Sequence, residues 1–194
     1  MPNHRRITVV RTRATATFPA EFILLAAMNP CPCGYATSRS DRCTCQPAEV
    51  GRYLRRISGP LLDRIDLQVE VTAVAWRELR GGRRGPTTSE VREAVVFARA
   101  RAARRLSPGE SDAPRTNAQM GEEEMRRHCG LGPRAEALVR QGVEEHGLTA
   151  RGYGRLLKVA RTIADLEGSE GIGVRHAAEA LQYRIPGREG EARR

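Results

Sequence analysis

Lysine and aromatic residues are scarce in this 194-residue sequence. Its 33 basic residues include one lysine, Lys158, and all the others are arginine. Aromatic residues make up 4% of the chain, so a core must be built mainly from aliphatic side chains. The formal net charge is nevertheless +10, which favours a polyanionic partner such as nucleic acid. A solvated arginine-rich surface explains the charge equally well, so both interpretations stay open.

Long apolar runs are also absent. No stretch of about 18 apolar residues occurs, so we expect no membrane-spanning helix. The first ten residues, MPNHRRITVV, lack the apolar region and the cleavage site of a signal peptide. We therefore expect a cytoplasmic location and reduced thiols. In such a compartment, clustered cysteines are better interpreted as metal ligands than as disulfides.

Two nucleotide-binding motifs are missing from the sequence. It contains neither a Gly-x-x-x-x-Gly-Lys-Ser/Thr phosphate loop nor an apolar strand ending in Asp-Glu. Lys158 lies within a late helical pattern and not in a glycine loop. We expect the chain alone to bind ATP weakly or not at all.

The first third of the chain has the apolar patterns of strands. Residues 7–17 are β-branched and alternating, which predicts a strand or hairpin at the edge of a sheet, ended by Pro19. The continuous apolar run 23–28 predicts a strand buried on both faces of a parallel sheet. Residues 48–57 have helical spacing, and the alternating segment 67–71 predicts a half-buried strand.

Helical patterns replace the strand patterns after a Gly- and Arg-rich stretch. Thr87 and Glu90 have the spacing of a capping box, and Thr149 is positioned to cap the strongest helical pattern. The predicted fold class is α/β: a partial sheet that lacks its N-terminal strands, followed by an all-α bundle. The predicted organisation is an α/β segment at 1–75, a linker at 76–88, a helical bundle at 89–186 and a disordered tail at 187–194.

Asn29 is the first candidate site residue. It follows the predicted buried strand, at the position where open α/β sheets bind ligands. Its amide is suited to hydrogen-bond a phosphate or to orient a water molecule. An ordinary turn residue before Pro30 is the more frequent interpretation of such an Asn.

Four cysteines form two Cys-x-Cys pairs separated by nine residues. The pairs are Cys31 with Cys33 and Cys43 with Cys45. Four thiolates suit a tetrahedral structural zinc ion, and such a site has no open position for catalysis. Reduced thiols packed in a turn are an equally good interpretation. Cys129 stands apart and is expected to be a small core residue.

Two arginines complete the candidate set. Asp63 and Arg64 follow a Gly-Pro turn, and a rigidly held arginine suits charge that develops on a transferring phosphoryl group. A structural ion pair with Asp66 or Glu70 is the alternative for Arg64. Arg151 lies in the first turn of the strongest predicted helix, where the helix dipole disfavours a cation. This placement suggests an anionic ligand or partner.

Several long motifs, in order, resemble the ComM/YifB family of magnesium-chelatase-like AAA+ ATPases. The resemblance covers about residues 7–186, and its most specific segments are AMNPCPCG, SGPLLDRIDL and LKVARTIADLEG. It implies a P-loop NTPase-type fold, of which this sequence is similar to the end of the AAA+ core followed by the helical lid. The family's phosphate loop and acidic metal-binding motif have no counterpart in it.

The resemblance implies a role for each candidate residue. Asn29 corresponds to sensor 1, which contacts the γ-phosphate, and Arg151 to sensor 2 on the lid. Asp63 and Arg64 are the implied catalytic residues, and Arg64 corresponds to the arginine finger that is offered to a neighbouring subunit. ATP with Mg²⁺ is the implied cofactor, and a hexamer that translocates DNA or migrates DNA branches is the implied assembly.

Three interpretations of function remain open at this point. The chain supplies sensors and a finger to an ATPase whose phosphate loop comes from a partner or an upstream segment. Alternatively, it is a zinc-stabilised, basic nucleic-acid-binding module without ATPase function. The third interpretation is a nonfunctional gene remnant.

Overall fold

The computed structural model describes residues 6–12, 14–36, 42–71, 74, 76–81, 85–107 and 115–184. Contacts within the chain divide it into two compact units, Met1–Leu54 and Arg55–Arg194. This division falls inside the segment 1–75 that the sequence analysis assigned to one domain.

A β-hairpin begins the first unit. Strands β1, Arg6–Arg11, and β2, Ala14–Pro19, pair antiparallel. Alternation of β-branched residues favours this pairing, and the hydroxyls of Thr8 and Thr17 lie 2.9 Å apart across the two strands. The sequence predicted a strand or a hairpin ended by Pro19, and the structure has the hairpin, with β2 ending at Pro19. Every described residue of both strands is exposed to solvent.

The other two strand predictions are wrong in this structure. Segments 23–28 and 67–71 form no strand, and Ile23 and Leu25 are more than 90% exposed. An interior strand needs a neighbour that accepts and donates its backbone hydrogen bonds. No described residue provides a strand ladder for either segment, and their apolar side chains stay uncovered. Among the described residues, the sheet is therefore the hairpin alone.

Three short helices follow the hairpin. Helix α1, Pro47–Leu54, ends three residues before the predicted end at residue 57. Helix α2, Gly59–Leu62, has Pro60 at its second position. The missing N–H of proline costs no hydrogen bond there, because the first N–H groups of a helix have no partner within it. Helix α3, Trp76–Gly81, lies within the range 76–88 that the sequence analysis treated as a linker.

A helical bundle occupies most of the second unit. Its helices are α4, Thr88–Leu106; α5, Glu122–His128; α6, Pro133–His146; α7, Ala150–Leu166; and α8, Val174–Gln182. A 3₁₀ turn, Asn117–Gln119, precedes α5.

The two predicted helix caps are confirmed. Thr87 and Glu90 form a capping box at the start of α4, and Thr149 Oγ1 accepts from Gly152 N at the start of α7. Gly147 follows α6 with φ of +60°, in the left-handed region that favours glycine. Local sequence therefore sets where these helices begin and end.

The apolar core is formed by residues from the end of α4 to α8. It is built from aliphatic and small side chains, as the scarcity of aromatic residues requires, and Cys129 is part of it, as expected. The most deeply buried members are Ala135, Val139, Leu156, Ala160, Ala164, Ala177 and Ala180. Small residues let the helices approach closely: a Cβ added to Gly142 on α6 would lie 2.7 Å from Leu181 Cδ2 on α8.

A buried ionic cluster joins α4 to α7. Asp165 is inaccessible to solvent and accepts hydrogen bonds from Arg105, Arg161 and Asn117 at distances of 2.5–3.1 Å. A buried carboxylate is tolerated only when its lone pairs are satisfied in this way. Arg161, itself 1% exposed, also donates to the backbone carbonyls of Ser169 and Glu170. The cluster thus fixes α4 and the loop after α7 against the same helix.

Among the described residues, the helices are too short or too polar to cross a lipid bilayer.

Candidate functional site

The four predicted metal ligands come together in the first unit. The sulfur atoms of Cys31, Cys33, Cys43 and Cys45 all lie within 4.8 Å of one another. Three of the separations are 3.2 Å, 3.6 Å and 3.9 Å. All four cysteines are free thiols, and Cys31 is fully buried.

A tight turn creates this cluster. Gly34 adopts φ of +85°, and its N–H donates to Cys31 O at 3.0 Å. Only glycine takes this conformation without strain, and it folds the chain so that Cys31 and Cys33 face the same side. Asn29 lies against the turn, with its amide nitrogen 3.6 Å from the position of a Cβ on Gly34.

Crowding separates the pKa values of the thiols. A backbone hydrogen bond from Tyr35 and the Cys31 side chain lower the pKa of Cys33 to about 6. A backbone hydrogen bond from Cys33 lowers the pKa of Cys45, but the Cys33 side chain and burial outweigh it and raise that pKa to about 12. Without a cation, the second and third thiolates must form beside the first, which is unfavourable.

The donor set fits a zinc ion. Zn–S bonds of about 2.3 Å in a tetrahedron place the sulfur atoms about 3.8 Å apart, close to the observed separations. A divalent cation would also offset the repulsion between neighbouring thiolates. Four sulfur ligands complete the coordination, so such a centre would stabilise the loop and would not catalyse a reaction.

Asn29 is the first candidate that the structure places differently from the sequence prediction. The segment 23–28 directly before it is not a strand, and its side chain is exposed. It belongs to the unit Met1–Leu54, whereas Arg64 and Arg151 belong to Arg55–Arg194. Its prediction as sensor 1 remains a prediction.

Arg64 is an exposed cation on a short turn after α2. Its Nη1 donates to Pro60 O at 2.7 Å, which returns the guanidinium toward the start of α2. The alternative of an ion pair with Asp66 or Glu70 does not occur: Asp66 pairs with Arg155 on α7 instead, and Arg64 forms no ion pair with Glu70. The guanidinium of Arg64 therefore has no carboxylate partner among the described residues.

Asp63 binds the start of α7. Thr149 Oγ1 donates to Asp63 Oδ2 at 3.1 Å, and Thr149 lies two residues before Arg151. Arg151 is exposed in the first turn of α7, as predicted. The structure thus joins the segment that carries Arg64 to the helix turn that carries Arg151.

Arg184 is a partner of Asp63 that sequence reasoning missed. Its side chain is 2% exposed, its Nη2 lies 3.8 Å from Asp63 Oδ1, and its Nη1 donates to Ile65 O at 2.5 Å. Burial lowers the pKa of the Arg184 guanidinium, and the nearby Asp63 carboxylate offsets part of that shift. An arginine just after a helix near the chain end has no local pattern that distinguishes it from a surface residue. Only contact across 119 positions shows its role.

A cavity of about 470 Å³ opens beside the first turn of α7. Its wall is mixed, with apolar, acidic and basic groups drawn from α5, α6 and α7. The lining includes Met125, Arg126, Cys129, Glu136, Ala150 and Tyr153. None of the predicted site residues lines it.

Two family models match the chain. The model described as magnesium chelatase, subunit ChlI, matches residues 2–79, and the model of its C-terminal part matches residues 85–184. The Haemophilus influenzae competence protein ComM is 41% identical over 179 residues, which are 92% of this chain and 33% of that protein. The YifB proteins of Escherichia coli and Salmonella typhimurium are 40% and 38% identical, each across 92% of this chain and 34% of their own length.

The chain thus spans about a third of the length of the relatives that it matches. The two matched regions together include the cysteine cluster, the Asp63 segment and the helical bundle. The chain belongs to the magnesium chelatase ChlI family, with ComM and YifB proteins as its relatives.

Proposed function

We propose that this chain contributes Arg64 and Arg151 to an ATP-hydrolysing assembly of the AAA+ type. In this role Arg64 acts as an arginine finger on ATP bound by a neighbouring subunit, and Arg151 acts as sensor 2. One observation carries the proposal. Both guanidiniums are exposed, and the hydrogen bond between Asp63 and Thr149 joins the segments that present them.

The proposed chemistry is electrostatic. A phosphoryl group in transfer spreads negative charge over its oxygens, and positioned guanidiniums stabilise that charge. Arg64 and Arg151 have no carboxylate partner among the described residues, so their charge is available to an anion. In this proposal Asp63 keeps the segment of Arg64 in place through its contacts with Thr149 and Arg184.

ATP with Mg²⁺ would come to this chain on a partner. The phosphate loop and the acidic metal-binding motif would belong to that partner or to another segment, because this sequence has neither. Asn29 is proposed as sensor 1, with its amide directed to the γ-phosphate when that partner is present. A ring such as a hexamer is the arrangement that offers each finger to a neighbour.

A complementation assay tests the proposal. The chain would be mixed with Haemophilus influenzae ComM in which the arginine corresponding to Arg64 is replaced by alanine. We expect wild-type chain to raise ATP hydrolysis in the mixture, since losing such an arginine lowers turnover by on the order of 10³-fold or more. The Arg64→Ala variant should not raise ATP hydrolysis in the mixture. The wild-type chain without ComM should not hydrolyse ATP.

Arg140→Ala is the matched control for that assay. Arg140 is also exposed, lies on α6 and belongs to no candidate site, so the variant should stimulate like the wild type. If wild-type chain and the Arg64→Ala variant have equal effects, Arg64 is not a finger. Turnover by the chain alone would refute the requirement for a partner.

DNA is the proposed substrate of the assembly. The net charge of +10 supports a polyanionic partner. If arginines contact phosphates, affinity for double-stranded DNA must fall steeply with added salt, by on the order of 10³-fold between 50 and 200 mM for six or more contacts. Affinity that does not change with salt would contradict phosphate contacts.

A second candidate function is a zinc-stabilised nucleic-acid-binding module that needs no ATP. The four clustered sulfur atoms favour it, because a structural zinc ion would hold the loop of the first unit together. The complementation assay separates the two candidates. Salt-dependent DNA binding without any stimulation of the relative's ATPase would favour the second.

A further inference from the structure

We infer that Thr149 and Arg184 are positioning residues that lock the segment 63–68 onto α7 and α8, so that Arg64 and Arg151 move as one body. This inference rests on the function proposed above for the two exposed arginines. It assigns no contact with substrate to Thr149 or Arg184, and both act through the segment that they hold.

Thr149 makes the first connection with a single hydroxyl group. Its oxygen accepts from Gly152 N at 3.0 Å, which caps α7, and its proton is donated to Asp63 Oδ2 at 3.1 Å. A hydroxyl is the smallest group that can do both at once. The residue before Arg64 is thereby tied to the turn that carries Arg151.

Arg184 makes the second connection from the end of α8. It is a buried cation, and Asp63 is the one carboxylate within ion-pair distance of it among the described residues. Its hydrogen bond to Ile65 O holds the backbone immediately after Arg64. A buried arginine without its carboxylate is strongly unfavourable, so the segment and Arg184 stabilise each other's placement.

Two further contacts hold the same segment, and together with those of Thr149 and Arg184 they form what we call the lock. Gln68 N donates to Tyr183 O at 2.7 Å, and Asp66 forms an ion pair with Arg155 on α7. Contacts therefore hold Asp63, Ile65, Asp66 and Gln68, on both sides of Arg64. Among the described residues, the Arg64 guanidinium itself is bound only to the Pro60 carbonyl, and it stays exposed.

This arrangement has a mechanical consequence. A displacement of α7 must carry the segment 63–68 with it, unless the bonds of Asp63 break. An anion that draws Arg151 toward it would therefore also shift Arg64. The lock would couple the two arginines without direct contact between them.

Hydrogen exchange on the full chain tests the lock directly. We expect Thr149→Val and Arg184→Gln to increase amide exchange in residues 61–68 by about tenfold, the loss of one bond of about 1.4 kcal/mol. Thr149→Ser keeps the hydroxyl and should restore wild-type exchange. Arg175→Gln, which breaks an exposed ion pair with Glu167, is the control and should leave residues 61–68 unchanged.

Exchange in α6 separates local release from general destabilisation. If the lock is real, the amides of residues 61–68 lose more protection in both variants than the core amides of α6. Equal protection of residues 61–68 in wild type and variants would overturn the inference. A parallel loss across α6 and residues 61–68 would overturn it as well, since that pattern indicates unfolding of the whole bundle.

The complementation assay distinguishes failure of the lock from failure of the proposed function. Thr149→Val should lower the stimulated kcat and leave the KM for ATP nearly unchanged, and Thr149→Ser should recover kcat. Stimulation by Thr149→Val equal to that by wild type would overturn the lock. If wild-type chain does not stimulate but exchange behaves as expected, the proposed function fails and the physical lock remains.

Discussion

Hydrogen bonds in the folded protein stabilise the ionised carboxylate of Glu124. It accepts hydrogen bonds from Arg115 at 2.5 and 2.9 Å and from Gly121 N at 2.9 Å. The Arg115 hydrogen bond, followed by that of Gly121, lowers the pKa of Glu124 to about 2. Because this pKa lies below the unfolded value of about 4.3, ionised Glu124 stabilises the fold above pH 4.3. That contribution is lost as the pH falls toward 2.

The pH dependence of Glu124→Gln tests this contribution. At pH 7 the variant should be less stable by on the order of 1 kcal/mol, a value reduced by partial exposure of the pair. The difference should shrink toward zero between pH 4 and pH 2. Urea denaturation at several pH values measures it, and Glu123→Gln, in a more exposed ion pair with Arg127, is the control. A difference that does not change with pH would contradict the assignment.

Residues differ in how far their roles could be predicted. The spacing of the four cysteines and the capping hydroxyl of Thr149 are local signals, and the structure confirms the clustering and the cap. Asp165 and Arg184 gave no such signal, because Asn117 lies 48 positions from Asp165 and Ile65 lies 119 positions from Arg184. The second role of Thr149, toward Asp63, was hidden for the same reason.

At the scale of elements, the helices of the bundle were predictable, whereas α3, in the predicted linker, and the absence of the interior strands were not. A helix forms its hydrogen bonds within its own segment, so apolar spacing and caps suffice to locate it. A strand depends on a neighbour that its own sequence does not specify. The hairpin β1–β2 contains both of its strands, and it was predicted. Segments 23–28 and 67–71 have strand patterns, but no described segment pairs with them, and they do not form strands.

Gly142 shows how packing between elements overrides helix propensity. In an isolated helix, Gly→Ala is stabilising by about 1 kcal/mol. Here the new methyl group would lie 2.7 Å from Leu181 Cδ2 and 3.6 Å from Cγ, and Leu181 is itself 8% exposed. Leu181 has little space to move, so we expect Gly142→Ala to destabilise the bundle by about 1–3 kcal/mol.

Thermal or urea denaturation of Gly142→Ala measures that balance. Gly154→Ala is a matched control on α7, where a Cβ would meet only Met125, at 3.6 Å or more, in ordinary contact. It should be neutral or stabilising. Stabilisation by both substitutions would show that α8 shifts freely and that the α6–α8 contact is loosely packed.

At the scale of the whole molecule, the two units depend on different sources of stability. The apolar core cluster lies entirely between Leu106 and Leu181, in the second unit. Among the described residues of the first unit, Cys31 alone is buried. Hydrophobic burial can therefore stabilise the bundle, whereas the first unit depends on its hairpin and on the cysteine cluster. Small units with little core commonly need a metal ion or a covalent link.

We therefore predict that metal and core can be perturbed independently. Reduced wild-type protein should contain one zinc ion per chain by elemental analysis, and Cys45→Ser should lower that content and expose residues 30–47 to proteolysis. The unfolding midpoint of the bundle should not change. Cys129→Ala should do the opposite: it removes a buried sulfur from the core, lowers bundle stability by about 1 kcal/mol and leaves zinc content unchanged. Metal-free wild-type protein after purification with zinc would refute the metal centre, and a lower bundle midpoint in Cys45→Ser would show that the two units share their stability.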